Sequence, residues 1–307
     1  MKIRNLLLAL LVMALWGSFF PMIKLGYSAF HIASNDIPSI ILFAGLRFLV
    51  SGGAVTCYLA LKKKKEVLPS RNELLPIALG ALFTIILHYS FNYIGLAIGE
   101  GSKTAIIKQI SCLFLTCFSF TFDRSEKFSP YKIVAGLLGF AGIIVTGIDG
   151  TAVSFKMGDF LVLLASVCSA VGAVVSKKSV ATISPVKFVA LSQLFGSTFL
   201  VTLGLILGGK ITYCDIKSVL VFGYLSLASI VSYLLWNMLL KSGSISKLSL
   251  IKFTEPLFAV VLSGIILSEN IWRVTYLAAL LLMALAIAVE HIPWRSHPKN
   301  GYESVTK

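Results

Sequence analysis

Apolar runs of about 20 residues alternate with short polar clusters along almost the whole chain. A run of that length spans ~30 Å of hydrocarbon when helical. The pattern predicts an all-α membrane protein with ten transmembrane helices: about Asn5–Leu25, Pro38–Leu61, Leu74–Ala97, Lys103–Phe122, Pro130–Ile148, Gly158–Val175, Pro185–Leu207, Ile216–Leu240, Lys247–Leu267 and Trp272–Val289. Between them lie breakers and charges: Lys62-Lys63-Lys64-Lys65, Asp123–Lys127, Lys177-Lys178. Met1–Gly17 has the charged start and Leu-rich core of a signal peptide, but no small-residue cleavage site precedes Trp16, so a retained first helix is expected.

One stretch of this pattern occurs twice. Tyr89–Phe114 aligns without a gap on Tyr233–Phe258, at a constant spacing of 144 residues and with nine of 26 positions identical. Lys108 and Lys252 occupy the same place in the two copies, five residues inside an otherwise hydrophobic run. A charged side chain near the centre of a membrane helix costs roughly 2.5–3.5 kcal/mol to insert, and less towards the ends. A cost carried twice at equivalent places points to one central cavity faced by both lysines.

Composition agrees with the pattern. The chain has 307 residues, 57% of them hydrophobic and 13% charged, with a mean hydropathy of +0.90. These values exclude an ordinary soluble domain. The net charge of +14 lies in short loops, so it is a topology signal and does not form a nucleic-acid-binding face. With the N-terminus in the cytoplasm, 18 Lys and Arg fall at cytoplasmic ends, 6 at the opposite side and 3 within spans (Arg47, Lys108, Lys252). Both termini are therefore expected inside. Four of the five cysteines lie in apolar runs and no CxxC or CxxH occurs, so neither disulfides nor a metal site is expected.

Five helices starting inside, followed by five starting outside, make an inverted-topology repeat: residues 1–148 and 149–292, with a cytoplasmic tail at 293–307. Substrate sites in such proteins lie at the repeat interface.

Several segments resemble the drug/metabolite transporter superfamily, EamA family. They are Ala14-Leu15-Trp16-Gly17-Ser18 with Lys24, Leu46-Arg47-Phe48, Tyr89–Leu96 running into Ser102, Gly158-Asp159, Tyr233–Leu240, Glu255-Pro256-Leu257 and Leu267-Ser268-Glu269. The resemblance implies a central cavity lined by helices one, three, four, six, eight and nine, and transport of metabolites or amino acids, often export, across a bacterial cell inner membrane. Three features depart from the family pattern: Ser111-Cys112 stands where a proline-bearing motif would sit, the turn after that helix reads Arg124-Ser125-Glu126, and the lysine pair is not general.

The candidate substrate-binding residues are Lys108, Lys252, Glu255, Trp16, Tyr89, Asn92, Tyr93, Tyr233, Trp236 and Asn237. The lysines offer charge for a carboxylate or phosphate. Glu255 is suited to a substrate amine or a coupling proton. A competing reading has Lys252 and Glu255, three apart on one helix, neutralise each other while Lys108 snorkels to the surface. Arg47 is read as structural, bonding carbonyls or Glu255, and His88 as a buried hydrogen-bonded residue rather than a proton relay. Glu126 and Glu269 are read as carboxylates at the starts of helices five and ten. Gly136, Gly139 and Gly142 are read as close-packing positions.

These residues predict a secondary transporter that moves a small polar or anionic metabolite, amino-acid-like or an organic anion, by alternating access and in the direction of export. The alternatives are a sugar-phosphate or nucleotide-sugar-like exchanger, or a non-transporting scaffold. No clustered acids, histidines or Cys/His constellation supports catalysis, and no cofactor or nucleic acid is expected; the partners are the small-molecule substrate and the lipid bilayer.

Overall fold

A computed structural model describes residues 3–62, 67–112, 114–115, 129–146, 148–149, 152–153, 155–243, 248, 251–252 and 254–290. It is all-α, and among the described residues ten helices are delimited: α1 (Ile3–Ala29), α2 (Ile37–Lys62), α3 (Arg71–Ile98), α4 (Gly101–Ile107), α5 (Pro130–Thr146), α6 (Met157–Thr182), α7 (Pro185–Ile206), α8 (Ile216–Ser242), α9 (Glu255–Leu267) and α10 (Val274–Glu290). Among the described residues six of these, α1, α2, α3, α6, α7 and α8, are long and apolar enough to cross a membrane; α9 and parts of α5 and α10 are shorter apolar helices.

Local chemistry sets the ends. Asp215 caps α8 by accepting from the Ser218 amide at 2.7 Å, and the Ser184 hydroxyl accepts from the Lys187 amide at the start of α7, where Pro185 needs no donor. Two expected boundaries are corrected. Lys177-Lys178 do not end the sixth helix, which runs on to Thr182. The Lys177 ammonium is bound by the Leu240 and Gly243 carbonyls at 2.8 and 2.5 Å, so it needs no loop. The fifth helix stops at Thr146, and Ile148–Asp149 pair with Ala152–Val153 in an antiparallel hairpin before α6.

The helices pack in reciprocal pairs: α1 lies against α8 and α9, α3 against α6, α2 against α7, and α5 against α10. Glycines bring α2 and α7 close. A methyl group at Gly45 would meet the Val201 nitrogen at 2.7 Å, and one at Gly204 would meet the Leu42 nitrogen at 2.8 Å. The outer surface is apolar. Ile206, Ile265 and Leu137 are 76%, 73% and 65% exposed, a lipid-facing pattern that a soluble protein rarely tolerates.

The bundle has two distinguishable ends. At the distal end, where α1 finishes, Ser218 donates to the Ala29 carbonyl and Lys103 pairs with Asp159. At the proximal end, where α1 begins, Lys187 of α7 pairs with Glu73 of α3 at 2.7 Å.

Candidate substrate site

Both lysines sit where helical bonding is interrupted. α4 ends at Ile107, and Gln109 and Cys112 then bond three residues back, to Ile106 and Gln109. The ninth helix was expected to be continuous from Lys247. Instead, Ile251–Lys252 are followed by a turn at Thr254, whose amide bonds Ile251, and α9 begins at Glu255. Pro256 has no N–H to offer the Lys252 carbonyl, which breaks the ladder there. In α3 a π-helical turn at Ala81–Ile86 interrupts regular bonding and carries Thr84.

These irregular segments surround a narrow cavity of about 60 Å³ in the proximal half of the bundle. Trp16, Tyr89, Lys108, Tyr233, Trp236, Asn237 and Lys252 line it, as does His88. The Lys252 ammonium lies over the rings of Trp16 and Trp236, 5.5 and 5.8 Å from their centroids. Those two indoles are themselves 5.0 Å apart. Among the described residues no carboxylate comes within ion-pair distance of Lys252, which is 4% exposed. Lys108 differs: its ammonium is 3.2 Å from the Glu255 carboxylate, and Glu255 is fully buried. The competing pairing within one helix, Lys252 with Glu255, does not form, and Glu255 pairs instead between the two repeated stretches. The helix break between Lys252 and Glu255 removes the shared face on which the local pairing depends.

Glu255, Asn92 and Tyr93 are not part of the cavity wall. Tyr93 is fully buried and accepts a short hydrogen bond from Arg47. Arg47 also donates to Ser229 at 2.7 and 2.9 Å and lies 4.1 Å over the Phe19 ring, so its partners are neither backbone carbonyls nor Glu255. The His88 Nδ1 is 2.8 Å from the Ala165 carbonyl. Glu269 binds the start of α4 rather than that of α10, accepting from the Gly101 and Ser102 amides at 2.9 and 3.0 Å. Glu126, Gly147 and the tail from Pro293 lie outside the described residues.

α7 also reaches the cavity, through Phe188, Val189, Ser192 and Gln193, and was not expected there. Gln193 is the one amide side chain in that span, and that signal was available in the sequence. Ser51 donates to its Oε1 at 2.7 Å. The Gln193 Nε2, Ser192 Oγ, Trp16 Nε1 and Asn237 Oδ1 atoms are buried in the cavity wall without a protein partner. Most buried polar groups in folded proteins are satisfied, so four such atoms grouped in one wall mark it as a candidate for polar contacts.

Apolar spanning helices packed around a chamber define a multi-pass membrane protein. The EamA-like transporter family model matches residues 3–148 and again 156–289. The chain belongs to that family of membrane transporters, which are not enzymes. It is similar to the uncharacterized transporter YvbV of Bacillus subtilis (strain 168), 29% identical over 294 residues, 94% of this chain and 92% of the relative. It is also similar to a probable amino-acid metabolite efflux pump of Escherichia coli (strain K12), 26% identical over 312 residues, 96% of this chain and 97% of the relative. A crystal structure that is 20% identical superposes with a TM-score of 0.70, covering 95% of this chain and 97% of that one, and has the same fold.

Proposed function

We propose that the chain is a secondary transporter for a small organic solute that presents one carboxylate, amino-acid-like compounds included, built from two oppositely inserted five-helix halves at 1–148 and 149–292. The observation that carries this reading is the unequal treatment of the two lysines. Glu255 pairs with Lys108, and among the described residues Lys252 has indole faces and no carboxylate. The chamber is left with one uncompensated positive charge, which matches a single carboxylate. A phosphate ester carries about −1.5 to −2 charges at neutral pH, so a sugar phosphate fits this charge count less well. Arg47 does not change the count, because it is held away from the cavity by Ser229 and Tyr93.

The repeat supports alternating access. Lys24 donates to the Gly99 carbonyl at 2.8 Å at the distal end, and Lys177 donates to the Gly243 carbonyl at the proximal end. Gly99 and Gly243 are equivalent positions, 144 residues apart. With the N-terminus cytoplasmic, as the distribution of Lys and Arg favours, the cavity lies on the cytoplasmic side. That placement, and the name of the Escherichia coli relative, support loading from the cytoplasm and export. The 60 Å³ cavity is well below the ~300–1,000 Å³ of small-molecule sites, so loading needs the Trp16–Trp236 pair to part.

A thermal-stability screen of purified protein against monocarboxylates, amino acids and sugar phosphates tests the assignment. A ligand at 100 times its Kd adds about 2.7 kcal/mol to the native state. Stabilisation by a monocarboxylate or amino acid, lost in Lys252→Gln, supports the reading; stabilisation by sugar phosphates alone overturns it.

A further inference from the structure

At the distal end one carboxylate joins three separate parts of the chain. Glu269 follows α9. It accepts from the Gly101 amide at 2.9 Å, from the Ser102 amide at 3.0 Å and from the Ser102 hydroxyl at 2.7 Å. Lys24, near the end of α1, lies 3.4 Å from the same carboxylate and donates to the Gly99 carbonyl at 2.8 Å. Burial alone would push the Glu269 carboxyl up, but the Ser102 and Gly101 amides and the Ser102 hydroxyl, with Lys24 beside them, together hold it below the usual carboxylate range. One turn deeper, Ser263 of α9 is fully buried, and a methyl group on Gly101 would meet its hydroxyl at 3.0 Å. Beneath the cluster, Gly17 lets α1 close on α9: a methyl group there would sit 2.8 Å from the Glu255 carbonyl.

We infer that Lys24 and Glu269 are the positioning pair that decides which end of the transporter is open, acting as a distal latch that must break for the cavity to face the distal side. The assignment rests on the alternating-access reading above. The Lys24 ammonium bridges α1 to both the α3–α4 turn and the α9–α10 link, so these parts cannot separate while it is engaged. Lys177 has the equivalent glycine partner at the other end, but among the described residues it bonds carbonyls only. The proximal end has an ion pair of its own, Lys187 with Glu73, but it joins α7 to α3; among the described residues a carboxylate joins the lysine–glycine contact only at the distal end.

The test uses full-length protein in vesicles, with all five cysteines replaced by serine. One reporter, Ser263→Cys, lies behind the latch. A second, Ser176→Cys, lines the cavity in its proximal half. Each is labelled with a membrane-impermeant maleimide applied from its own side. Lys24→Gln and Glu269→Gln are each expected to speed labelling of the Ser263→Cys reporter at least tenfold and to slow that of the Ser176→Cys reporter by a similar factor. Lys24→Gln leaves the Glu269 hydrogen bonds to Gly101 and Ser102 in place, so it tests the latch even where Glu269→Gln fails to fold. Unchanged rates at both reporters in folded Lys24→Gln protein overturn the latch and leave alternating access standing. Faster distal labelling without slower proximal labelling means that both ends open together, which overturns alternating access and the latch with it.

Discussion

The hydroxyls of Tyr89 and Tyr233 are hydrogen-bonded to each other at 2.7 Å, and the two residues occupy the same place in the repeated stretch, 144 positions apart. A residue that touches its own repeat partner lies on or near the axis relating the halves. Lys108 and Lys252 lie on the cavity wall beside them. Two of the positions at which the halves differ matter for this region: Glu255 corresponds to Ser111, and Trp236 to Asn92.

Removing the shared bond tests that relationship. Tyr89→Phe and Tyr233→Phe should each lower stability by about 0.5–1.5 kcal/mol. Both remove the same contact, so the double variant should cost no more than the larger single one. Denaturant unfolding in detergent measures this, and additive losses would show that the hydroxyls act separately.

The Lys108–Glu255 pair makes a sharper case. Breaking a buried pair from one side costs about 3–5 kcal/mol, because a charge is left uncompensated, whereas removing both partners is often close to neutral. Lys108→Gln should therefore destabilise the protein strongly, since the fully buried Glu255 is stranded. Glu255→Gln should cost less, because Lys108 is 11% exposed at the cavity. The double variant should recover much of the loss. A thermal-melt double-mutant cycle with no coupling would refute the pairing.

Arg47 should behave as a structural residue. It reaches Tyr93 on α3 and Ser229 on α8 from α2, and lies over the Phe19 ring of α1. A lysine keeps the charge but cannot span both partners with a planar fork. Arg47→Lys should lower the melting temperature by several degrees. Ligand affinity, measured at a temperature where the variant remains folded, should stay within about twofold. A large loss of affinity without a loss of stability would place Arg47 in the binding site.

Acid should loosen the distal end. The folded Glu269 carboxyl titrates below its unfolded value. Its stabilising contribution is therefore complete above the unfolded carboxylate pKa of about 4.3 and is lost as pH falls through the lower, folded value. Melting temperatures of wild type and Glu269→Gln should differ most at neutral pH, by the equivalent of about 1.5–3 kcal/mol for hydrogen bonds to a charge. They should converge towards pH 3, and a constant difference across that range would count against the assignment.

Much of this was legible in the sequence, because the length of an apolar run fixes whether a helix can span and the repeat fixes which lysines correspond. The helix ends were less so. Lys177 looks like a loop residue until the carbonyls of Leu240 and Gly243 are seen to bind it. The partner of Glu255 was left open for a related reason. Spacing along one helix allowed Lys252, and only the break before Pro256 turns the carboxylate to Lys108 on the other half. Ser192 and Gln193 were missed because a polar side chain in an apolar span, such as the single amide of Gln193, marks a contact without telling whether it faces a neighbour or a cavity.

The most direct test of the central claim is exchange in proteoliposomes. Wild type and Lys252→Gln would be loaded with monocarboxylates or amino acids, and uptake of the same labelled compound followed under counterflow. Saturable counterflow of at least one monocarboxylate or amino acid by wild type, reduced tenfold or more in the variant while the protein stays folded, is the predicted result. Equal counterflow by both proteins, or uptake that never saturates, would contradict it.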